Sequence, residues 1–183
     1  MKQKQQFTVL ATAIRVLTFR AGREELIGLD HRHLAVGLLA TWLVGMGRHW
    51  DAADATLVQS LGLVSIAFVL GLAGMVWMFG SWFGPANWSY RRVLTFLTLA
   101  APPAALYAIP VERMIVPETA QQLNLTFLAL VSVWRLSLLV FLLTRLGELS
   151  LVKATVIMPV SLLAAAFAVL TVIATFFGNP GPC

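Results

Sequence analysis

The amino-acid sequence predicts an all-α polytopic integral membrane protein, with five transmembrane helices preceded by an amphipathic interfacial helix. Three observations support this fold class. The 183 residues are 59% hydrophobic and 11% charged, whereas soluble domains average about 25% charged residues. Five apolar runs divide the chain into short hydrophilic segments. Finally, Lys and Arg residues are concentrated in alternate hydrophilic segments.

The distribution of these basic residues predicts the orientation. Ten of the thirteen fall in the first, third and fifth hydrophilic segments. The second and fourth contain only Arg48 and Arg113, and Arg135 lies inside an apolar run. Because Lys and Arg beside a span are retained in the cytoplasm, the N-terminus is predicted to be cytoplasmic and the C-terminus outside. The net charge of +5 is then explained by this bias and by attraction to anionic lipid, so the expected partner is the lipid bilayer and not nucleic acid.

Residues 1–33 form the predicted cytoplasmic N-terminal segment. Within it, apolar side chains recur at helical spacing at Phe7, Leu10, Ile14 and Leu17. The opposite side of this short helix carries Thr8, Thr12 and Arg15. A basic amphipathic helix of this kind is expected to lie flat on the inner leaflet. A helix packed against the spans is the alternative.

The transmembrane domain is predicted to cover 34–177, with a flexible external tail at 178–183. Its spans are predicted at about 34–50, 57–83, 93–109, 123–143 and 154–177. The first is short, about 25 Å against a hydrocarbon core of about 30 Å. Small residues give the first two spans smooth faces, at Gly37, Thr41, Gly45, Gly62, Gly71 and Gly74. Such faces allow close helix approach, so they are candidates for self-association or for contact with another membrane protein.

Two adjacent prolines, Pro102 and Pro103, lie in the middle of the third predicted span. Proline lacks a backbone donor and clashes with the preceding turn, so the helix is expected to kink or break here. The carbonyls this frees, near Leu97 to Leu99, must find partners away from lipid.

Arg135 is the leading candidate for a functional residue, because it lies near the middle of the fourth predicted span. An Arg at that depth costs about 2.5–3.5 kcal/mol on insertion scales, and it usually faces protein or water. One hypothesis is contact with an anion or a lipid headgroup. The other is an internal tie to a carboxylate or to the carbonyls freed by the prolines.

Polar and charged residues also gather at the predicted outer level of the membrane: Arg48, His49, Asp51, Glu112, Arg113 and Asn124. Next to a broken helix they would form a polar vestibule. The alternative is that they are ordinary interface charges that close loops.

The sequence contains no motif that names a reaction. Without a nucleophile, a metal cage or a cofactor motif, no enzymatic activity, metal site or cofactor is expected. An intramembrane enzyme would require His49, Asp51 and Glu112 to converge. The three histidines are predicted on two faces of the membrane, which argues against a histidine metal site.

The order of segments, a cytoplasmic N-terminal segment followed by five closely spaced spans, resembles that of the Yip-type membrane domain. The resemblance is one of layout, so no functional residue is transferred. Several eukaryotic members of that group act with small GTPases in vesicle traffic.

Two functions remain open from the sequence. The leading one is a non-enzymatic scaffold or accessory subunit that contacts lipid or another membrane protein, as the short loops, the lack of a motif, the glycine faces and the interfacial helix indicate. The alternative is a small permease or channel with a polar site around Arg135 and the outer charges. Short loops and an uncleaved first span fit a bacterial inner membrane.

Overall fold

The computed structural model describes residues 8–47, 50, 55–83 and 88–177. The protein is all-α, 79% helical, with no strand in that part of the chain. Two short 3₁₀ helices lie between the sixth and seventh α-helices, at Pro102–Ala108 and Val111–Arg113. The α-helices of the described part are α1 (Val9–Leu17), α2 (Arg23–Ile27), α3 (His31–Gly47), α4 (Leu57–Ser60), α5 (Leu63–Ser81), α6 (Tyr90–Leu99), α7 (Pro117–Arg145) and α8 (Leu151–Phe177).

Two of the described helices, α5 and α7, are long and apolar enough to cross a membrane. Only 28% of the most apolar stretch of α5 and 22% of that of α7 is buried inside the protein. The core helix of a soluble protein would be mostly buried, whereas most of this apolar surface is uncovered. The described side chains of α8 add a shorter apolar helix, Leu151–Ala164.

The apolar run predicted as one span at 57–83 forms two helices. Thr56 caps the single turn of α4, where its backbone N–H and its hydroxyl each donate to Gln59 Oε1 at 2.9 Å. Gly62 then adopts a φ of 67°, a left-handed conformation that glycine enters without steric cost. A Cβ at Gly62 would lie 2.8 Å from the Trp42 carbonyl oxygen. Glycine therefore separates α4 from α5 and lets the chain pass close to α3.

The small-residue face of α3 packs inside the protein. Gly37, Thr41 and Gly45 are its buried residues. A Cβ on Gly37 would collide with the Thr98 side chain, and a Cβ on Gly45 would lie 2.8 Å from the side chain of Ser65. This face therefore brings α3 against α6 and α5 within the chain.

The core lies where the N-terminal segment meets α5, α6, the second half of α7 and the start of α8. Its largest fully buried side chains include Leu26, Val76, Phe96, Leu138 and Leu142. The N-terminal segment is therefore an integral part of the packed molecule.

Helix α1 has one face against the protein and another exposed. Thr12 and Val16 are buried, while Leu10 is 69% and Ile14 52% exposed. Thr12 lies on the side that the sequence pattern marks as polar, yet it packs inward together with Val16. The exposed face of α1 is therefore apolar.

Contacts between elements define two ends of the molecule. At one end, Arg23 of α2 forms a salt bridge with Glu148 in the turn after α7. Arg92, at the start of α6, donates to the Ile27 carbonyl oxygen at 3.1 Å. At the other end, the Trp50 indole donates to the Ala108 carbonyl oxygen at 3.0 Å. The starts of α3 and α6 thus share one end, and the end of the 3₁₀ helix lies at the other.

Candidate functional site

A cavity of about 230 Å³ lies between α3, α5, α7 and the segment that begins at Ala101. We call it the polar cavity, because it contains the guanidinium-bearing Arg135 and three hydroxyl-bearing side chains. Its lining residues are Thr41, Val44, Val64, Ser65, Phe68, Ala101, Ala104, Tyr107 and Arg135.

Arg135 is the only charged residue of α7 between Glu118 and Arg145. It is half-buried, and it lines the polar cavity instead of the exposed apolar face of α7. A guanidinium presents five N–H donors and no acceptor. The cavity therefore gives this charge a polar setting in the middle of an otherwise apolar helix.

Thr41 connects α3 to the helix break. Its hydroxyl donates to the Gly37 carbonyl oxygen at 2.9 Å and lies 3.4 Å from the Thr98 carbonyl oxygen. Pro102 has no N–H to donate, so the Thr98 carbonyl lacks the donor that residue 102 would supply in a continuing α-helix. It instead accepts from the backbone N–H of Ala101 at 3.1 Å. The freed carbonyl thus has partners inside the protein.

The residues of the 3₁₀ helix Pro102–Ala108 line two different cavities. Residues three apart are eclipsed in a 3₁₀ helix. Ala101, Ala104 and Tyr107 share this spacing, and all three line the polar cavity. The 3₁₀ helix that begins at the proline pair therefore brings Tyr107 to the polar cavity.

The other faces of the same 3₁₀ helix line an apolar cleft of about 550 Å³. On the opposite side, the cleft is bounded by Leu130, Val131 and Trp134 of α7. Trp134 and Arg135 are neighbours in sequence, yet one lines the apolar cleft and the other the polar cavity. The 3₁₀ helix thus forms a wall between them.

Of the other predicted site residues, the structure describes the side chains of Arg113 and Asn124, and neither lines the polar cavity. Arg113 lies over the Trp50 ring, with its guanidinium carbon 5.2 Å from the ring centroid. Asn124 is half-buried about three turns before Arg135 on α7. Glu112 belongs to the short 3₁₀ helix Val111–Arg113, and its side chain lies outside the described part. Arg48, His49 and Asp51 also lie outside the described residues, so the predicted vestibule stays a prediction.

Three lining residues were not singled out by the sequence as site residues. Tyr107 is most simply interpreted from sequence as a boundary or packing aromatic, and Thr41 as part of the small-residue stripe. Ser65 carries no distinguishing signal in an apolar run. The only available signal was the spacing of residue 107 from 101 and 104, which defines a face only in a 3₁₀ helix.

Asp30, immediately before α3, has a carboxyl group with a strongly shifted pKa. It is the one such carboxyl group among the described residues outside the apolar helices. Asp30 Oδ1 lies 2.7 Å from His33 Nδ1 and accepts from the backbone N–H of Arg32 at 3.0 Å. The hydrogen bonds from His33 lower the pKa of Asp30 from 3.8 to about 2. Across the described residues, no cluster of three or more His, Cys, Asp or Glu side chains could hold a metal ion.

Comparison of the chain with models of protein families, with curated proteins and with solved structures found no match.

Proposed function

We propose that the protein is a five-span membrane protein that admits a small anion to the polar cavity, acting as a small permease or channel. In this proposal the N-terminus is cytoplasmic, the C-terminus is outside, and the membrane is a bacterial inner membrane. The observation that carries the proposal is the cavity lined by Arg135, Tyr107, Thr41 and Ser65.

The uncovered apolar surface supports the membrane placement. Helices α5 and α7 are mostly unburied despite their apolar composition. Helix α6 is too short to cross a bilayer alone, since ten residues rise about 15 Å. The seven-residue 3₁₀ helix that follows adds about 14 Å. Together they match a hydrocarbon core of about 30 Å, as the third span requires.

The chemistry of the lining supports an anionic ligand. Arg135 contributes only hydrogen-bond donors, and the hydroxyls of Tyr107, Thr41 and Ser65 can each donate or accept. A cavity of about 230 Å³ has room for roughly seven waters at about 30 Å³ each. A halide or a small oxyanion or carboxylate has the matching size and charge.

The test is anion binding and flux with purified protein in lipid. Thermal stability is measured with chloride, nitrate, phosphate and acetate, and efflux of the anion that binds is followed from proteoliposomes. Arg135→Gln should abolish both the ligand-induced stabilisation and the flux, because the amide carries no charge.

Arg145→Gln is the matched control, since it removes the same charge from the end of the same helix outside the cavity lining. It should keep both signals. Ser65→Ala gives a second, milder change in the cavity and should weaken binding with normal accumulation of protein. If no anion stabilises the wild type, or if Arg145→Gln and Arg135→Gln behave alike, the proposal is wrong.

A second candidate, the scaffold or accessory subunit, is supported by the open face of α5. A Cβ added to Gly71 would meet no other atom within 4 Å, and the neighbouring Leu70 is exposed. A helix of a second copy could approach closely there. Gly71→Leu should shift the protein from dimer to monomer in sedimentation, whereas Ala129→Leu on the exposed side of α7 should not. A monomeric wild type would contradict self-association.

A further inference from the structure

Residues 8–29, which comprise α1, α2 and the turn between them, pack against α6 and α7; we call them the strap. Val16, Leu26 and Leu29 of the strap lie in the hydrophobic core, and polar contacts add to this packing. Within the strap, Arg15 Nε lies 3.0 Å from Glu25 Oε2. Arg23 forms the salt bridge with Glu148, and the Ile27 carbonyl accepts from Arg92. These contacts join the strap to α6 and to the turn after α7.

An aromatic contact joins the middle of the strap to α7. The ring centroid of Phe19 lies 5.7 Å from that of Phe141, edge to face, and 6.4 Å from that of Trp134. The Trp134 indole N–H donates to the Leu17 carbonyl oxygen at 3.2 Å. Trp134 therefore holds the strap through both its ring and its N–H.

Two of the strap contacts involve residues with a left-handed backbone conformation. Phe19 has a φ of 60° and Glu148 a φ of 51°, and no other non-glycine residue of the described chain has a positive φ. A bulky side chain rarely adopts this conformation unless its surroundings enforce it. One of these residues is the aromatic anchor of the strap and the other is the salt-bridge partner of Arg23. Both residues lie just past a helix C-terminus, where the Ala21 N–H donates to the Arg15 carbonyl oxygen at 3.1 Å and the Leu149 N–H to that of Leu143 at 3.2 Å. These helix-end turns fix the positions from which Phe19 and Glu148 make their contacts.

Trp134 links the strap to the polar cavity. It precedes Arg135 on α7, and consecutive helical residues point about 100° apart. Trp134 thus contacts the strap while Arg135 lines the polar cavity. A shift or rotation of α7 at Trp134 must also move Arg135, because both side chains project from one rigid helical turn.

We infer that the middle of the strap, around the exposed anchor Phe19, is a releasable clamp, whose docking on Trp134 and Phe141 sets the position of Arg135 in the polar cavity. If the clamp controls ligand access to the polar cavity, that part of the inference rests on the proposed function of the cavity. Coupling of this kind is reciprocal, so occupancy of the cavity also changes strap docking.

The test uses two cysteine probes in a Cys183→Ser background, since Cys183 is the only cysteine of the chain. Ala21→Cys reports strap docking, because Ala21 is buried in the strap. Ser65→Cys reports access to the polar cavity. The rate of each probe's reaction with a small thiol reagent is measured in lipid, and Glu24→Cys, at an exposed position of α2, gives the rate of an accessible thiol.

Phe19→Ala removes both ring contacts and should raise the Ala21→Cys rate about tenfold. It should also change the Ser65→Cys rate about threefold or more. Trp134→Phe keeps a ring and removes the indole N–H, so a smaller change of the same sign is expected in both probes. This milder variant decides the question if Phe19→Ala does not fold. Leu10→Ala, on the exposed face of α1, should leave both rates at the parental value.

Unchanged Ala21→Cys rates in both aromatic variants would show that the strap is a fixed part of the fold and would overturn the inference. A faster Ala21→Cys with an unchanged Ser65→Cys would overturn the coupling to the cavity. Neither readout uses an anion. Failure of the proposed function would therefore appear separately, as an absence of anion binding in the wild type.

Discussion

The close approach of α3 to α6 depends on the missing side chain at Gly37. An added Cβ would collide with Thr98 and lie 3.0 Å from the backbone nitrogen of Leu99, which cannot move aside as a flexible side chain would. Gly37→Ala should therefore lower the free energy of unfolding by about 1–3 kcal/mol, the usual cost of overpacking. Thermal unfolding in a fixed detergent measures this.

Gly71→Ala is the matched control, because the same substitution at Gly71 meets open space. It should be neutral or stabilising by up to about 1 kcal/mol, since alanine favours the helix over glycine. Equal effects of the two substitutions would contradict the packing argument.

The Asp30 carboxylate predicts an acid-dependent change in stability. Its pKa in the folded protein is about 2, below the usual 3.8, because the charged form accepts hydrogen bonds from His33. The contribution of Asp30 to stability is therefore complete above about pH 4 and lost as the pH falls through about 2. Asp30→Asn keeps a side-chain acceptor at the start of α3 but removes the titration.

The measurement is thermal stability between pH 5 and pH 2. The difference between wild type and Asp30→Asn should be largest at the upper end of this window and should shrink toward its acid end. Glu24→Gln, an exposed acid-to-amide change in α2, controls for the loss of one carboxylate. A difference that stays constant with pH would refute the role of Asp30.

For individual residues, the sequence identifies Arg135 as a candidate site residue because a single charge in an apolar run is energetically unusual. It cannot identify Tyr107 or Ser65 as neighbours in the same cavity. Aromatic and hydroxyl side chains are common in apolar helices, and only the fold determines which of them share a cavity.

Among the elements, the proline pair has the largest expected effect on the site. Replacing both Pro102 and Pro103 by alanine restores two backbone donors and allows α6 to continue as an α-helix. Its period would then change from 3.0 to 3.6 residues per turn, so Tyr107 would no longer share a face with Ala101 and Ala104. Anion binding should be lost while the protein still folds.

Pro159→Ala is the matched control, because Pro159 lies inside α8 and lines neither cavity. It should leave binding intact. Binding is followed by ligand-induced thermal stabilisation and helix content by circular dichroism. Wild-type affinity in the double alanine variant would show that the 3₁₀ period is not required.

The same elements show what sequence pattern can predict. The loss of two donors at Pro102 and Pro103 is a local property, and α6 indeed ends just before them, at Leu99. The division of the run at 57–83 was missed. Gly62 looks like any other glycine of an apolar run, and the close approach of α3, which leaves no room for a Cβ there, comes from a helix that is remote in sequence.

For the whole molecule, the charge pattern predicts the number and orientation of the spans, whereas the helix lengths alone do not. All-α architecture follows from composition and apolar runs, and the structure confirms it. The number of spans is not decided by helix length, because α3 has 17 residues and α6 only ten. A span built partly from a 3₁₀ helix is not recognised by the length of its α-helix. The prediction of five spans therefore rests on the alternation of basic residues, and a topology measurement tests it.

Labelling of intact cells with a membrane-impermeant thiol reagent supplies that measurement. Cys183 is predicted outside, so it should react before permeabilisation. Glu24→Cys in the Cys183→Ser background, an exposed position of α2, is predicted in the cytoplasm, where Arg15, Arg20 and Arg23 would retain the strap, and should react only afterwards. The same orientation for both probes would require an even number of spans. Reversed accessibility would keep an odd number and invert the protein, placing the strap outside the cell.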